Sequence, residues 1–355
     1  MGLFRKETKT AFKAREMAQM IAFGPVIFQS ARVLRDSGIL SVVEESAADG
    51  ITLVAIAEKV KMKEYGVRVL LESGLSLGLV LVNEGKYTLA KTGYFILHDN
   101  LTRVNMDFVQ DVCYKGMYSL DKSLETGKPE GLKELGPWKT VYEGLSQLPK
   151  NIQDSWFNFD HYFSDDAFPL VLPHVYKNGI KNILDIGGNT GKWATISAKY
   201  SPDIWVTIMD LPGQLGMAKA KIAKEGLTDQ VSFVAVNILD ENAQIPKGFD
   251  AIWMSQFLDC FSEDEIVSIL KRCYDALDAN GHVIIMEPFW DRQQFEIAAF
   301  CLQQTSLYFT AIANGNSQMY SAEVFIRCIE KAGFEMVEEI DNIGLSQTIL
   351  KCRKK

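Results

Sequence analysis

The sequence predicts an α/β protein in which a doubly wound parallel sheet follows a smaller, mainly helical domain. From Asn182 onwards, short apolar runs alternate with helical segments, which is the pattern of parallel strands joined by helices. Before about residue 105, helical segments lead into a two-stranded hairpin. The chain of 355 residues also exceeds one typical core. We therefore assign residues 1–105 to the first domain, and residues 106–355 to a helical connector and the sheet domain.

The first domain has the order of elements of a winged helix. Its first helical segment carries apolar residues at helical spacing, namely Ala18, Ile21, Ala22, Val26 and Ile27. Residues 51–52 lead into a predicted helix over 53–60, and a second predicted helix covers 64–77. Predicted strands at 80–82 and 87–89 enclose a turn that contains glycine. Helix, helix and a two-stranded wing make the domain winged-helix-like.

A winged helix can read DNA through its second helix, but the charges here disfavour that role. Lys63 and Arg68 are balanced by Glu64 and Glu72, whereas phosphate contacts need an excess of Lys and Arg. The formal net charge is +2 over residues 1–100 and −10 over the remainder. We expect a dimerisation or lid role for this domain and no nucleic-acid partner.

The composition bears on where the protein is located in the cell and on whether it binds a metal ion. No uninterrupted apolar run approaches the roughly 20 residues of a membrane-spanning helix, and the N-terminus lacks the apolar stretch of a leader sequence. The six cysteines form no CxxC pair and have no histidine at zinc-ligand spacing. We expect a cytoplasmic protein with reduced thiols, no membrane partner and no metal site.

The second domain begins after a mainly helical connector, residues 101–178, which contains an aromatic cluster at 156–163. Predicted parallel strands cover 183–186, 205–209, 231–236, 251–254 and 283–286. Predicted helices cover 193–200, 215–224 and 263–277. Near the end, runs at 335–340 and 346–350 predict a closing antiparallel pair of strands. Helices on both faces of a mostly parallel sheet make this domain Rossmann-like.

The strongest local signal is a glycine loop after the first strand of the sheet. Gly187, Gly188 and Gly191 stand at the carboxyl end of that strand, where doubly wound folds bind ligands. A dinucleotide fingerprint from Gly187 would require glycines where Asn189 and Lys192 stand, so NAD and FAD are disfavoured. The loop therefore favours a different nucleoside-containing ligand.

Two carboxylates accompany this loop. Asp185, just before the glycines, suits a ligand with a cationic amino-acid end and no phosphate. Asp210 ends the second strand, where a carboxylate can accept hydrogen bonds from a ribose diol. The alternative role for Asp210 is a helix N-cap before Pro212.

Five motifs in order carry a family resemblance: LDIGGNTG from Leu184, MDLPGQL from Met209, FVAVNILD from Phe233, FDAIWMSQFLDCFSEDEIVSIL from Phe249, and GHVIIMEPF from Gly281. The chain resembles the S-adenosylmethionine-dependent O-methyltransferases of the plant caffeic acid and bacterial antibiotic-tailoring type. The resemblance implies a class I methyltransferase fold, S-adenosyl-L-methionine as cofactor, and a homodimer formed through the N-terminal domain.

The resemblance also assigns the cofactor-binding residues. The methionine end would lie at Asp185 and the glycine loop, the ribose at Asp210 and the adenine near Leu211. Asn237 replaces the family's usual Asp and keeps a hydrogen-bonding side chain, while Asn189 replaces the middle glycine and tolerates left-handed backbone. The implied set is Asp185, Gly187, Gly188, Gly191, Asp210, Leu211, Asn237, Ile238 and Ser255.

The chain departs from the family at the catalytic base. Methyl transfer to a phenol needs an aligned and at least partly deprotonated oxygen. The family's base lies in a His-Asp-Trp triplet, which here reads Asp259-Cys260-Phe261. Asp259 is one candidate base and His161, where the family has an apolar residue, is another. The third possibility is an acceptor that needs no base, or a loss of methylation.

Glu287 ends the fifth strand, where the family keeps a Glu that orients the base. Its alternative role is to cap the following turn. The family's second Glu aligns with Met319 and the following Arg with Tyr320, so the base must be oriented differently in this chain. We therefore count Glu287 with Asp259 and His161 as candidate catalytic residues.

Bulky apolar residues between 293 and 312, where the family lines its acceptor pocket, suit a flat aromatic acceptor, although core or dimer packing explains them equally well. The set is Phe295, Phe300, Leu302, Leu307, Tyr308 and Phe309, joined by Phe157, Phe159, Phe261, Phe289 and Trp290.

These observations predict transfer of a methyl group to a hydroxyl of an aromatic or polyketide-like small molecule. The missing histidine leaves alternatives in the same fold, namely C-methylation and non-methylating chemistry such as decarboxylation or hydroxylation. A ligand-sensing regulator is a further alternative, disfavoured by the uncharged second helix.

Overall fold

The computed structural model describes residues 3–240 and 242–355, which form two compact units, Phe4–Asp107 and Phe108–Lys355. The first unit contains helices α1 (Ala11–Ala22), α2 (Gly24–Asp36), α3 (Ile39–Glu45), α4 (Leu53–Val60), α5 (Glu64–Ser76), α6 (Lys91–His98) and α7 (Asn100–Phe108, which ends one residue into the second unit). Its strands are β1 (Ile51–Thr52), β2 (Val80–Asn83) and β3 (Lys86–Leu89).

The predicted hairpin of the first unit is confirmed, and a third strand, β1, pairs with it. The sheet order is β1-β3-β2, and all pairs are antiparallel. Tyr87 of β3 faces Ile51 on one side and Val82 on the other. Glu84 and Gly85 close the hairpin in left-handed backbone, with φ of 47° and 76°, the geometry of a tight two-residue hairpin turn.

Helix α1 differs from the other helices of the first unit because none of its side chains is buried. The unit's core comprises residues of α2, α3, α4, α5 and β2, including Leu34, Leu40, Ile56, Leu71 and Val80. By contrast Phe12 and Ile21 of α1 are 68% and 71% exposed. Helix α1 therefore presents an apolar surface that its own unit leaves open.

The second unit contains helices α8 (Leu120–Thr126), α9 (Val141–Gly144), α10 (Lys150–Asp165), α11 (Phe168–Val175), α12 (Lys192–Tyr200), α13 (Pro212–Lys224), α14 (Glu263–Ala276), α15 (Glu296–Tyr308) and α16 (Ala322–Lys331). Its strands are β4 (Asn182–Ile186), β5 (Trp205–Asp210), β6 (Val231–Ala235), β7 (Ala251–Ser255), β8 (His282–Glu287), β9 (Phe334–Ile343) and β10 (Gln347–Lys354). The sheet order is β6-β5-β4-β7-β8-β10-β9.

The predicted doubly wound architecture is confirmed. Strands β4 to β8 pair in parallel, and β10 and β9 pair antiparallel at one edge. Helices α14 and α16 cover one face, and α11, α12 and α13 cover the other. The strand order reverses between β4 and β7, so their carboxyl ends open the crevice where such sheets bind ligands.

A third hydrophobic cluster lies outside the sheet and joins α10 to α15. The Trp156 indole donates a hydrogen bond to the Tyr308 hydroxyl at 2.7 Å, and the rings of Phe108 and Phe159 stack with centroids 3.9 Å apart. Leu302 and Phe309 belong to the same cluster. The connector that precedes the sheet is therefore packed against the segment that follows β8.

No single helix in the described ranges is long and apolar enough to cross a bilayer. Helices α1 and α2 reach that length and hydropathy only as a pair, which bends by 72° at the junction.

Gln293 offers a test of how the segment after β8 is fixed. Its buried amide donates to the Phe289 and Ser346 carbonyl oxygens, at 2.8 and 3.0 Å. We expect Gln293→Ala to lower the free energy of unfolding by about 1–3 kcal/mol, because two buried acceptors lose their donor. Urea unfolding measures the change, with Gln304→Ala on the exposed side of α15 as the matched control. Equal effects of the two substitutions would contradict this account.

Candidate active site

The glycine loop adopts backbone that larger side chains would disrupt. Gly187 has φ of 77°, and its N–H donates to the Met209 carbonyl at 2.9 Å. A Cβ on Gly187 would lie 2.1 Å from the Phe257 ring, and a Cβ on Gly188 would lie 2.5 Å from Asp185 Oδ2. Asn189 takes the left-handed backbone expected for it, with φ of 49°. The loop is therefore held close to the end of β4.

Asp210, the last residue of β5, connects the glycine loop to that strand through a hydrogen bond. Its Oδ2 accepts the Asn189 N–H at 2.8 Å, and its Oδ1 accepts the Leu211 N–H at 2.6 Å. Burial raises the pKa of the Asp210 carboxyl to about 6, although these two amide bonds favour its charged form. Each carboxylate oxygen keeps a further lone pair, so Asp210 can bind the loop and still accept from a ligand.

Asp185 is buried and partly unsatisfied. Its side chain is 2% exposed, and Oδ2 has no hydrogen-bond partner among residues 3–240 and 242–355. Burial, and then the charge of Asp210, raise the pKa of Asp185 well above its usual value. Asn189 Oδ1 and Ser255 Oγ are also buried without a partner in those ranges. These free polar atoms in and beside a glycine-rich loop fit the donor-rich amino-acid end of S-adenosylmethionine.

The residues predicted to contact the adenine lie just after the ends of β5 and β6. Asn237 is exposed, and its Oδ1 accepts the Leu239 N–H at 3.1 Å within its own turn. Ile238 is buried in the hydrophobic cluster beneath α14. Leu211 is half-buried at the start of α13. Asn237 and Leu211 can therefore meet a ligand directly, whereas Ile238 mainly supports the turn.

Asp259 and Glu287 lie together after β7 and β8. Glu287 is 1% exposed, and its Oε1 accepts the N–H groups of Phe257 and Leu258 at 3.0 and 2.9 Å. Its Oε2 has no partner in the described part of the chain. Burial and the charge of Asp259 raise the pKa of Glu287 well above its usual value. Glu287 therefore fixes the segment that carries Asp259.

The Asp259 carboxyl can change its protonation state near neutrality. It is 5% exposed, and burial raises its pKa to about 7, against weaker opposing hydrogen bonds from Cys260. A carboxyl with a pKa near the working pH can accept a proton and release it again. Asp259 thus meets the chemical requirement for a base in place of the missing histidine.

Two residues that were not predicted to belong to the site also hold this segment. Asn314 donates its side-chain amide to the Cys260 carbonyl, and the Tyr320 hydroxyl donates to the Phe261 carbonyl at 2.7 Å. The sequence shows only that Tyr320 stands where the family has an Arg, and it does not reveal this contact. Both bonds go to backbone carbonyls, so no side-chain motif could have revealed them.

The contacts of His161 are with the glycine loop and with its own helix. Its Nε2 is 3.4 Å from Thr190 Oγ1 in the glycine loop, and its ring stacks on Phe157. Burial and the charge of Lys192 lower its pKa to about 4, so the imidazole is neutral and weakly basic. This geometry does not favour His161 as the base.

Asp160, the residue before His161, faces the site instead, and it was not among the predicted residues. The Asn189 side chain donates to Asp160 Oδ2 at 3.4 Å, and the Gln256 side chain donates to the Asp160 carbonyl at 3.4 Å. Burial and the charge of Asp259 raise the pKa of the Asp160 carboxyl to about 7. A carboxylate within an aromatic helical segment was the one signal available in the sequence.

The predicted acceptor-pocket aromatics do not lie together. Phe295 and Phe300 are 67% and 49% exposed, so in a single copy they are not packed against the other aromatic residues of this set. Phe261 and Phe289 pack into the core beneath the sheet. The residues that do share one cluster, beside Cys260 and Tyr142, are Phe157, Phe159, Trp290, Leu302, Tyr308 and Phe309. Sequence spacing alone cannot tell these two groups apart.

In the described ranges, no three His, Cys, Asp or Glu side chains are arranged to hold a metal ion. All six cysteines are free thiols.

Family models match both units. Residues 15–87 match the Dimerisation2-like domain, and residues 169–335 match the O-methyltransferase domain. Together they cover more than half of the chain.

Curated relatives and a solved structure agree with this match. The chain is 24% identical to L-tyrosine C(3)-methyltransferase of Streptomyces lavendulae over 91% of this chain and 88% of that protein. It is also 24% identical to 3-hydroxy-5-methyl-1-naphthoate 3-O-methyltransferase of Streptomyces sahachiroi, over 69% of each.

The fold resembles the O-methyltransferase NcsB1 from neocarzinostatin biosynthesis, solved with S-adenosylmethionine and 2-hydroxy-5-methyl naphthoic acid. The TM-score is 0.70 at 18% identity, over 98% of this chain and 100% of that one. The predicted enzyme class and cofactor are confirmed: the protein is an S-adenosylmethionine-dependent methyltransferase. The chain belongs to the family of S-adenosylmethionine-dependent O-methyltransferases that carry a dimerisation domain.

Proposed function

We propose that this enzyme methylates a hydroxyl of an aromatic small molecule, with Asp259 as the general base. The observation that carries the proposal is the buried Asp259–Glu287 pair at the ends of β7 and β8. A phenol has an ordinary pKa near 10, so its oxygen needs a proton acceptor at neutral pH. Asp259, with a pKa near 7, accepts that proton in its ionised form.

Glu287 acts as the positioning residue for Asp259. Its Oε1 holds two consecutive amides just before Asp259, while Asn314 and Tyr320 hold the two carbonyls just after it. The backbone on both sides of Asp259 is therefore fixed. A fixed base can remain aligned with one acceptor oxygen, which is what an in-line displacement requires.

The cofactor-binding residues proposed for this chain follow the loop geometry. Asp185, the loop of Gly187, Gly188 and Gly191, and Ser255 bind the methionine end of S-adenosylmethionine. Asp210 binds the ribose, Leu211 and Asn237 contact the adenine, and Ile238 supports the turn that carries Asn237. When bound, the sulfonium supplies an electrophilic methyl group. The glycine loop excludes side chains from that position, and Asp185 binds the ammonium through its free Oδ2.

The acceptor is proposed to be an aromatic or polyketide-like molecule. Cys260 follows Asp259 and borders the cluster that contains Phe157, Phe159 and Tyr308, which offers flat apolar surface to a ring. The names of the relatives support the same class, since one acts on a naphthoate and another on tyrosine.

C-methylation of a phenol is the second candidate, favoured by the relative that covers 91% of the chain. Removing the phenol proton places negative charge on the oxygen and also on the ring carbons beside it. The same base therefore serves both reactions, and the orientation of the ring above the methyl group decides between them. The regiochemistry of the product distinguishes the two candidates.

We also propose that residues 1–105 form a winged-helix-like domain that makes a homodimer through its exposed apolar surface. Phe12, Met17, Met20 and Ile21 of α1 are 45–71% exposed. Solvent-exposed apolar patches of this kind are typical of association surfaces. The free thiols support a reducing, cytoplasmic location for the enzyme.

The cofactor loop is tested with Gly188→Ala. The added methyl group would meet Asp185 Oδ2 at 2.5 Å, so the loop must shift. We expect the affinity for S-adenosylhomocysteine to fall at least tenfold in calorimetric titration. Gly216→Ala on the exposed face of α13, where no atom lies within 4 Å, is the control and keeps the affinity of the wild type. Unchanged binding by Gly188→Ala would contradict the loop assignment.

The base is tested with Asp259→Asn in single-turnover assays. We expect methyl transfer to slow by about 10²–10⁴-fold, the usual effect of losing a general base. In the wild type the rate falls as pH decreases below about 7, because Asp259 takes up a proton; this pH limb disappears in Asp259→Asn. The exposed Asp264→Asn is the control. A loss of less than tenfold would show that Asp259 is not the base.

The homodimer is tested with Ile21→Glu. A buried carboxylate opposite a second copy would be strongly unfavourable, so sedimentation velocity should change from a dimer to a monomer. Arg15→Gln on the same helix changes the charge by the same amount and should remain dimeric. A dimer that persists in Ile21→Glu would place the interface elsewhere.

A further inference from the structure

The two oxygens of the Asp259 carboxyl have different surroundings. Oδ1 accepts a hydrogen bond from the Cys260 thiol, with the sulfur and the oxygen 3.5 Å apart. Oδ2 accepts no hydrogen bond within residues 3–240 and 242–355, and it is not among the fully buried polar atoms there, unlike Oε2 of Glu287. Asp259 therefore has one oxygen held by its neighbour and one oxygen open to a ligand.

Cys260 is itself held in place through both its backbone and its side chain. Its carbonyl oxygen accepts the side-chain amide of Asn314. Its side chain is partly buried and packs against two hydrophobic clusters, the one beneath α14 and the one that contains Tyr308. The surrounding protein therefore keeps the sulfur beside Oδ1 of Asp259.

The Cys260 thiol acts as a hydrogen-bond donor. Burial, and then the charge of Asp259, raise the pKa of Cys260 well above its ordinary value, so the sulfur keeps its proton at neutral pH. An S–H group is a weak donor, but a charged acceptor strengthens a hydrogen bond. The bond is therefore stronger when Asp259 is ionised than when it is protonated.

The other titratable groups that interact with Asp259 in the described part of the chain bring no positive charge to it. They are Asp160, Glu287, Tyr142 and Tyr320. Among the interactions that favour the ionised form of Asp259, the thiol of Cys260 contributes most, ahead of the backbone amides of the same two residues. The thiol is therefore the one side chain that supports the charged carboxylate there.

We propose that Cys260 is a positioning residue for the base: its thiol binds Oδ1 of Asp259, so that Oδ2 is the oxygen that accepts the proton of the substrate hydroxyl. The proton leaves the phenol oxygen and binds Oδ2, and the negative charge passes from the carboxylate to the phenol oxygen. The inference rests on the proposed function, because it assigns the oxygen through which the proposed base acts.

Two substitutions of Cys260 should differ in their effect on Asp259. Cys260→Ala removes the donor, so the midpoint of Asp259 ionisation should rise by about 0.5–1 pH unit. Cys260→Ser keeps a hydroxyl donor, so the midpoint should stay within about 0.3 unit of the wild type. Cys113→Ala removes a buried thiol from the cluster that contains Tyr308 and is the matched control, with an unchanged midpoint.

Infrared difference spectra across a pH series measure these midpoints, with each protein compared with the same protein carrying Asp259→Asn. Calorimetric titration with S-adenosylhomocysteine reports that the variants fold.

The hydrogen bond itself is followed in the wild type through the S–H stretching band of Cys260, identified by subtracting the spectrum of Cys260→Ser. This band should move to lower frequency as the pH rises through the midpoint of Asp259, because the ionised carboxylate is the stronger acceptor. The movement should be absent in Asp259→Asn.

The proposal is overturned if the midpoint of Cys260→Ala stays at the wild-type value, or if Cys260→Ser or Cys113→Ala raises it equally. It is also overturned if the S–H band of the wild type does not respond to pH.

Methyl transfer is measured separately with S-adenosylmethionine. The acid limb of the rate should move to higher pH in Cys260→Ala by the same amount as the spectroscopic midpoint, and Cys260→Ser should restore it. A midpoint that rises while the acid limb stays in place would show that the thiol holds Asp259 but that Asp259 is not the base, which contradicts the proposed function. The contact and the proposed function can therefore fail independently.

Discussion

The site depends on the burial of carboxyl groups at the carboxyl ends of parallel strands. Asp210 and Glu287 are the last residues of β5 and β8, Asp185 is the penultimate residue of β4, and Asp259 lies four residues after the end of β7. Burial raises the pKa of each carboxyl group, so each must be satisfied by an amide, a proton or a ligand. Asp210 and Glu287 use backbone amides. Asp185 and Asp259 retain capacity for a ligand, which is why this edge of the sheet can bind and react.

Because Asp259 stands where the family has a histidine, the pKa of the base must be brought near neutrality in a different way. An imidazole titrates near neutrality without help, whereas a carboxyl group in water is ionised far below it and is then a weak base. Burial beside Glu287 removes this difference by raising the Asp259 pKa to about 7. Instead of the family's Glu and Arg side chains, which Met319 and Tyr320 replace, Asn314 and the Tyr320 hydroxyl hold the backbone carbonyls of Cys260 and Phe261. An aspartate can therefore take the place of the histidine only where it is buried and its backbone is held by neighbouring residues.

Much of the fold could be predicted because periodicity and loop residues determine it locally. The five parallel strands, the glycine loop and the antiparallel closing pair follow from apolar runs and glycine positions. Asp185 could be predicted because it precedes the glycine loop, and Asp210 and Glu287 because they end strands whose carboxyl ends meet at one edge.

The rest of the site depends on tertiary contacts that no local pattern contains. Asp160 and His161 are neighbours on one helix, and only the packing of α10 decides that the Asp160 carboxyl lies beside Asn189 of the glycine loop. Asn314 acts on a backbone carbonyl, which has no sequence signature. Phe295 and Phe300 match the composition of a pocket wall but lie on the surface.

The protonation state of Asp259 tests the central claim most directly. Infrared difference spectra between the wild type and Asp259→Asn, recorded across a pH series, report the protonated carboxyl of that one residue. The account predicts a carboxyl band that disappears with a midpoint near pH 7. A midpoint near the ordinary aspartate value of about 4 would contradict the account, because an ordinary carboxylate is too weak a base for this role.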